Sequence, residues 1–283
     1  MGHSDPKTLV STGWLASHLP DPNLRILDGS WYMPADKRDV RAEFSTAHIQ
    51  GAQFFDIDAI SDQETDLPHM IPPVAQFERQ VAELGISNNN QIVVYDTQGL
   101  FSAARVWWLL RYFGLANIAV LDGGLPKWQA EGHPTVNTDS QPRTEQPNAT
   151  AQAHLVRNAE QVLKASQCAN LQIVDARAPA RFRGEVAEPR AGLRSGHMPG
   201  AKNVFFKSLI NADGTLKPDA ELAAVFKAQG IDLEQPIITS CGSGVTASVL
   251  SLALQKIGHN NHALYDGSWS EWGGLHNYPV EQG

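Results

Sequence analysis

The sequence predicts an α/β protein made of two tandem copies of one domain, each a mostly parallel sheet flanked by helices. Three observations lead there: an ordered internal repeat, short β-branched runs alternating with segments of helical spacing, and a length of 283 residues, which suits two domains at roughly 150 residues each. In the repeat, LRILDGSWY (24–32) returns as LQIVDARAP (171–179) and HIQGAQFF (48–55) as HMPGAKNVFF (197–206). QIVVYD (91–96) returns as PIITSC (236–241), and VLDGGLPKW (120–128) as LYDGSWSEW (264–272). Four blocks in one order, at a spacing of 144 to 149 residues, place the copies at 8–134 and 154–281. Between them, residues 135–153 are rich in Thr, Gln, Asn and Pro, with almost no large apolar side chain, and read as an exposed linker.

Within each copy, IVVY (92–95) and PIIT (236–239) read as short buried strands. Strands alternating with helices argue for a parallel sheet. A helix is expected from Thr246 to Ile257, with Val249, Leu250, Ala253, Leu254 and Ile257 on one face and Gly258 as its stop. Its partner, Ser102 to Phe113, is followed by Gly114 in the same way.

An apolar fraction of 42% with 18% charged residues is enough to build a core, so a disordered chain is excluded. The net charge of −8 disfavours a nucleic-acid or anionic-membrane surface. No run reaches the roughly 18 apolar residues of a membrane span, and the first residues lack the order of a secretion signal, so a cytoplasmic protein is expected. Two cysteines, Cys168 and Cys241, make neither a disulfide scaffold nor a paired zinc motif.

Cys241 follows an expected strand directly, and Gly242, Ser243, Gly244, Val245 and Thr246 lead from it into the helix. Ligands of open α/β sheets bind at the carboxyl ends of strands. Two glycines let successive N–H groups turn toward an anion over the helix start, a setting that stabilises a thiolate and any charge passed to it. An arbitrary free cysteine is a small buried hydrophobe; this setting favours a chemical role. Cys168, in NAEQVLKASQCANL, has no such surroundings and reads as a packing residue. A phosphate-binding P-loop needs a lysine that neither turn has, and a cysteine phosphatase needs an arginine where Ala247 stands.

DGSWYMP in the first copy, with GHMPGAKN and CGSGVTA in the second, resembles the two-domain rhodanese sulfurtransferases over residues 8 to 280. The resemblance implies two rhodanese-like domains, with the reactive cysteine in the second and none in the first, where Asp96 stands in its place. The CGSGVTA loop is similar to that of the 3-mercaptopyruvate branch; thiosulfate-preferring members resemble CRKGVTA, whose two cations face a dianionic donor. Gly242 and Ser243 replace those cations.

The segment from Arg177 to Arg194 offers a clamp for the donor carboxylate, since it holds five arginines and two glutamates in an acidic chain. By the resemblance, Arg181 and Arg190 bind that carboxylate, while Arg177, Arg183 and Arg194 read as solvated surface cations. The chain departs from the commoner EPEPR form at EVAEPR. The resemblance also implies that Asp58 and His69 face Ser243 as orienter, base and hydroxyl. His48 and His197 recur in both copies and read as structural.

The activity implied is transfer of sulfur from 3-mercaptopyruvate through a Cys241 persulfide to thioredoxin, a small dithiol or cyanide, with Gly242, Gly244, Val245 and Thr246 around the substrate. No metal or organic cofactor is expected. The alternatives are a thiosulfate:cyanide sulfurtransferase, a carrier whose persulfide is loaded by a partner enzyme, and, disfavoured by Ala247, a phosphatase.

Overall fold

A computed structural model describes residues 8–283 except Asp139, Gln141, Arg143 and Ala169. Among the described residues ten strands form two five-stranded sheets, and every pairing of these strands is parallel. In the first, β1 (Leu9–Val10), β2 (Leu24–Asp28), β3 (Ala52–Phe54), β4 (Gln91–Tyr95) and β5 (Ile118–Leu121) lie in the order β1-β5-β4-β2-β3. In the second, β6 (Val156–Arg157), β7 (Gln172–Asp175), β8 (Lys202–Asn203), β9 (Ile237–Ser240) and β10 (His262–Tyr265) repeat it as β6-β10-β9-β7-β8. The central strands β4 and β9 are covered on both faces, which is why IVVY and IIT read as unbroken apolar runs rather than alternating ones.

The expected helices form at Ala103–Tyr112 and Ala247–Lys256, preceded by Ser102 and Thr246 and closed by Phe113 and Ile257, each of which a glycine follows. Neither is amphipathic in use. Every residue from Ala247 to Leu254 is buried, including two serines that a one-faced helix would leave in water. Ser248 Oγ donates to the Gly244 carbonyl at 2.9 Å, and Ser251 Oγ lies 3.0 Å from Thr239 Oγ1 on β9. Satisfied hydroxyls can be buried at little cost, so the helix packs all round.

The chain divides into two compact units. Unit 1 comprises residues 1–61, 72–152 and 211–216; unit 2 comprises 62–71, 153–210 and 217–283. Each unit thus includes a short arm whose sequence lies in the other repeat. In unit 1 the arm is held by Asp122, just after β5, whose Oδ1 accepts the Leu216 N–H at 2.8 Å. In unit 2 the matching Asp266, just after β10, accepts the Ile71 N–H on Oδ2 at 2.8 Å.

Three residues of the expected linker, Asp139, Gln141 and Arg143, lie outside the described residues. Much of the rest is tied to unit 1: Thr150 N–H donates to the Phe113 carbonyl, Gln152 N–H to that of Tyr112, and Ala149 N–H to Glu78. His48 and His197 are buried and brace their surroundings. Each ring meets a backbone carbonyl through Nδ1, of Phe44 at 2.7 Å and Phe182 at 2.9 Å, and stacks on that phenylalanine. Each backbone also forms a bridge, His48 to Val136 at the start of the expected linker and His197 to Glu281 at the end of the second copy.

Cys168 departs from the expectation. The helix that was to bury it ends at Ser166, with Gln167 as its cap, and the thiol beyond is exposed.

Candidate active site

Cys241 sits at the carboxyl end of β9, in the middle of the second sheet, and is 2% exposed. Its backbone is fixed from the segment after β10. The Cys241 N–H donates to Ser268 Oγ at 3.2 Å, and its carbonyl accepts the Trp269 N–H at 3.0 Å. The Gly242 carbonyl accepts both the N–H and the Oγ–H of Ser270, at 2.8 and 2.7 Å. Ser268 adopts a left-handed φ of +50° that a serine occupies only at a cost, and its Oγ donates to the Tyr265 carbonyl at 2.8 Å.

Gly244 has φ +79°, the turn that lets the loop double back into the helix Ala247–Lys256. Among the described residues, none of the N–H groups of Gly242, Ser243, Gly244, Val245 and Thr246 donates to an acceptor of the protein. Together they form a turn rich in free donors at a helix N-terminus, which suits a negative charge on sulfur.

Ser243 and His69 come together within unit 2. His69 Nδ1 lies 3.0 Å from Ser243 Oγ and 3.3 Å from the Ser243 carbonyl, and both residues are 5% exposed. With Nδ1 unprotonated the serine hydroxyl donates to it; with Nδ1 protonated the direction reverses. His69 holds φ +62° in the arm whose Ile71 N–H is bound by Asp266. Asp58 belongs to unit 1, where its Oδ2 accepts the Trp31 indole N–H at 3.0 Å. Trp31 lies in DGSWYMP, a motif used for the resemblance but given no role of its own.

The arginine-rich segment corrects the sequence reading at two positions. Arg177 is not a surface cation: it is 2% exposed, paired with Asp175 at 2.7 Å and Glu188 at 2.9 Å, and lies over the Trp269 ring at 4.2 Å. Burial works against its charge, but the two carboxylates outweigh it and raise its pKa above the ordinary arginine value. Arg194 is likewise structural, donating to the carbonyls of Gly273, Tyr278, Trp272 and Leu275. Charge counting could not tell an arginine that closes a fold from one that meets solvent. Arg183 does lie in solvent, paired with Glu185.

Arg181 is partly exposed, and its Nη2 bonds Glu188 at 2.5 Å. A Cβ on Gly242 would lie 3.2 Å from that Nη2, so the guanidinium rests against the loop where it has no side chain. Arg190 is half-buried in the same unit. Glu188, fully buried between Arg177 and Arg181, was read in the sequence only as a charge that offsets the arginines. In the sequence its pairing with both arginines left no signal beyond a glutamate four residues past Gly184 and two before Arg190.

Among the described residues no group of three or more His, Cys, Asp or Glu could hold a metal ion, and no helix is long and apolar enough to cross a membrane.

The rhodanese-like domain family matches at residues 11–131 and 158–275. The 3-mercaptopyruvate sulfurtransferase of Escherichia coli K12 is 44% identical over 96% of this chain and 97% of its own. The Arabidopsis thaliana protein named thiosulfate/3-mercaptopyruvate sulfurtransferase 1, mitochondrial, is 41% identical over 98% of this chain and 79% of its own. The crystal structure of SseA, described as a 3-mercaptopyruvate sulfotransferase of Escherichia coli, superposes with a TM-score of 0.86 at 42% identity, covering 93% of this chain and 99% of that one. With both of its repeats matched, the chain belongs to the rhodanese family.

Proposed function

We propose that the chain is a 3-mercaptopyruvate sulfurtransferase working through a persulfide on Cys241. The observation that carries this reading is a cysteine at the central strand end, on a turn of unspent N–H groups, with the Ser243–His69 pair in the same loop. The names of relatives at 41% and 44% identity support it.

The Cys241 thiolate attacks the donor sulfur. The carbon–sulfur bond breaks with its electron pair going to carbon, pyruvate leaves as its enolate and takes a proton, and the sulfur stays as a persulfide. Arg181 and Arg190 hold the donor carboxylate, the former presented by Glu188. The N–H groups of Gly242, Gly244, Val245 and Thr246 take up charge on the outer sulfur. Ser243 and His69, with Asp58 as the third member, carry the proton between donor thiol and leaving carbon. Thioredoxin, a small dithiol or cyanide then attacks the outer sulfur, and Cys241 departs as thiolate, completing a ping-pong cycle. The protein's own groups supply each of these roles, so the reading calls on no cofactor. A cytoplasmic location belongs to the same reading; cell fractionation tests it against the mitochondrial location in the Arabidopsis relative's name.

The test is pyruvate release from 3-mercaptopyruvate with a dithiol, beside thiosulfate with cyanide, on the parent and Cys241→Ser. Pyruvate release that vanishes in the variant is the expected result. Faster turnover of thiosulfate would move the assignment to a thiosulfate:cyanide sulfurtransferase, and failure of both donors would point to a carrier.

A further inference from the structure

The two copies carry one clamp in different states of completion. After β10, the segment 266–270 seats its N–H groups on the cysteine loop: Trp269 N–H on the Cys241 carbonyl, Ser270 N–H and Oγ–H on the Gly242 carbonyl. After β5, the matching segment 122–126 makes only the first bond, Leu125 N–H to the Asp96 carbonyl at 2.9 Å. Its next residue is Pro126, which has no N–H to offer the Thr97 carbonyl. Ser270 therefore adds two hydrogen bonds to the copy that carries Cys241, at a position where the repeat without a cysteine has an imino acid.

A peptide group is planar, and with no cis bond among the described residues its carbonyl and N–H point to opposite sides. The carbonyl of Gly242 and the N–H of Ser243 belong to one such group. Tying that oxygen to Ser270 turns the Ser243 N–H away from the helix Ser268–Trp272, and the Trp269 bond does the same for the Gly242 N–H. These are two of the unspent donors of the loop. In the other copy the Thr97 N–H is consumed by Ser30 Oγ at 3.0 Å and the Gln98 N–H by Asp96 Oδ1 at 2.8 Å.

We propose that Ser270 is a positioning residue for sulfur transfer, clamping the Gly242 carbonyl so that the loop N–H groups face the reacting sulfur of Cys241. The inference rests on the persulfide reading above and adds the residue that aims its cradle. Ser270 touches neither donor nor acceptor in this role; it acts through one peptide group.

The test compares Ser270→Pro, Ser270→Ala and Ser270→Thr in a Cys168→Ser background. The proline variant reproduces what the fold already accommodates in the first turn of Gly124–Ala130. It removes both bonds, so kcat with 3-mercaptopyruvate is expected to fall about tenfold while KM, set by Arg181 and Arg190, moves less than about twofold. Alanine keeps the N–H and should lose about threefold in kcat; threonine keeps both donors and should match the parent. Alkylation of Cys241 by iodoacetamide should slow in the same order, and that readout needs no sulfur donor. A folded Ser270→Pro protein with the parent's kcat and alkylation rate overturns the inference. If that variant does not fold, an alanine variant matching the parent in both overturns it. A parent that transfers no sulfur defeats the function reading instead, and the alkylation series still decides the role of Ser270.

Discussion

At the end of β4 the side chain of Asp96 turns back into its own loop, whereas at the end of β9 the matching N–H groups stay unspent around Cys241. The Asp96 carboxylate accepts N–H bonds from Gln98 at 2.8 Å, Phe101 at 2.7 Å and Ala103 at 2.9 Å. The first copy thus shows what the turn is built to hold: a compact anion at a helix start, here a carboxylate belonging to the chain itself. The cysteine copy reaches its helix one residue sooner, and there the N–H groups of Gly242 to Thr246 meet no acceptor among the described residues. Capacity for an anion is a property of the strand–turn–helix unit, and the residue at its first position decides whether that capacity is used internally or for chemistry.

The carboxylate one strand over follows the same division. Asp175, ending β7, is met by Arg177 through Nε and Nη2. Asp28, ending β2, has Ser30 in the place of that arginine, and Asp96 lies near enough to repel it. Burial, aided by the Asp96 charge and opposed by hydrogen bonds from Ser30 and Tyr95, pushes the Asp28 carboxyl up to about 6. Burial also pushes Asp96 up, against the pull of its N–H donors. Unit 1 therefore concentrates buried negative charge where unit 2 concentrates arginine.

The largest effect that would break this comparison is on stability. Asp96→Ala leaves buried N–H groups without an acceptor and should cost about 3 kcal/mol or more in urea unfolding, since each unsatisfied buried donor costs roughly 1–3 kcal/mol. Cys241→Ala, at the matching position, should cost only about 1 kcal/mol of packing. Equal losses would mean that the cysteine loop is not a spare cradle.

Asp28→Asn should sharpen the electrostatic half. The folded carboxyl binds its proton more tightly than the unfolded one, whose ordinary value is 3.8, so the contribution of Asp28 to stability is greatest at low pH and declines between about 4 and 6. The asparagine variant should lack that decline. Relative to the parent it should gain up to about 3 kcal/mol above pH 6 and nothing below pH 4, read from Tm across the range. A difference that does not vary with pH would sink the assignment.

The smallest effect concerns Gly242→Ala. The new methyl would press on Arg181 Nη2, the far end of a flexible side chain, so the fold should survive. A KM for 3-mercaptopyruvate raised about three- to fivefold, with kcat little changed, is the expected result; an unchanged KM would separate Arg181 from donor binding.

The fold was legible because its signal is local and doubled. Runs such as IVVY and IIT suit a sheet covered on both faces, and each of the four blocks of the first copy returns in the second. Cys241 and its glycines were legible for a related reason: strand, turn and helix are contiguous, so their geometry is nearly written in order. Arg177 and Glu188 were misjudged or passed over because charge has no periodicity, and a pair eleven residues apart reads the same in solution as in a core. Ser270 carried no signal alone; it emerges only when set against Pro126 in the folded repeat.

By itself, the amino-acid order determined the two α/β copies, the strand ends and the unequal residues at those ends, Asp96 and Cys241, because these depend on neighbours within a few residues. Only the tertiary structure decided which donors are spent, which arginines are buried, and that the arm carrying His69 joins unit 2 beside Ser243. Those outcomes depend on contacts such as that between residues 69 and 243. They are set by burial and by the need of most buried polar groups to find a partner, conditions that arise only once the chain has closed on itself.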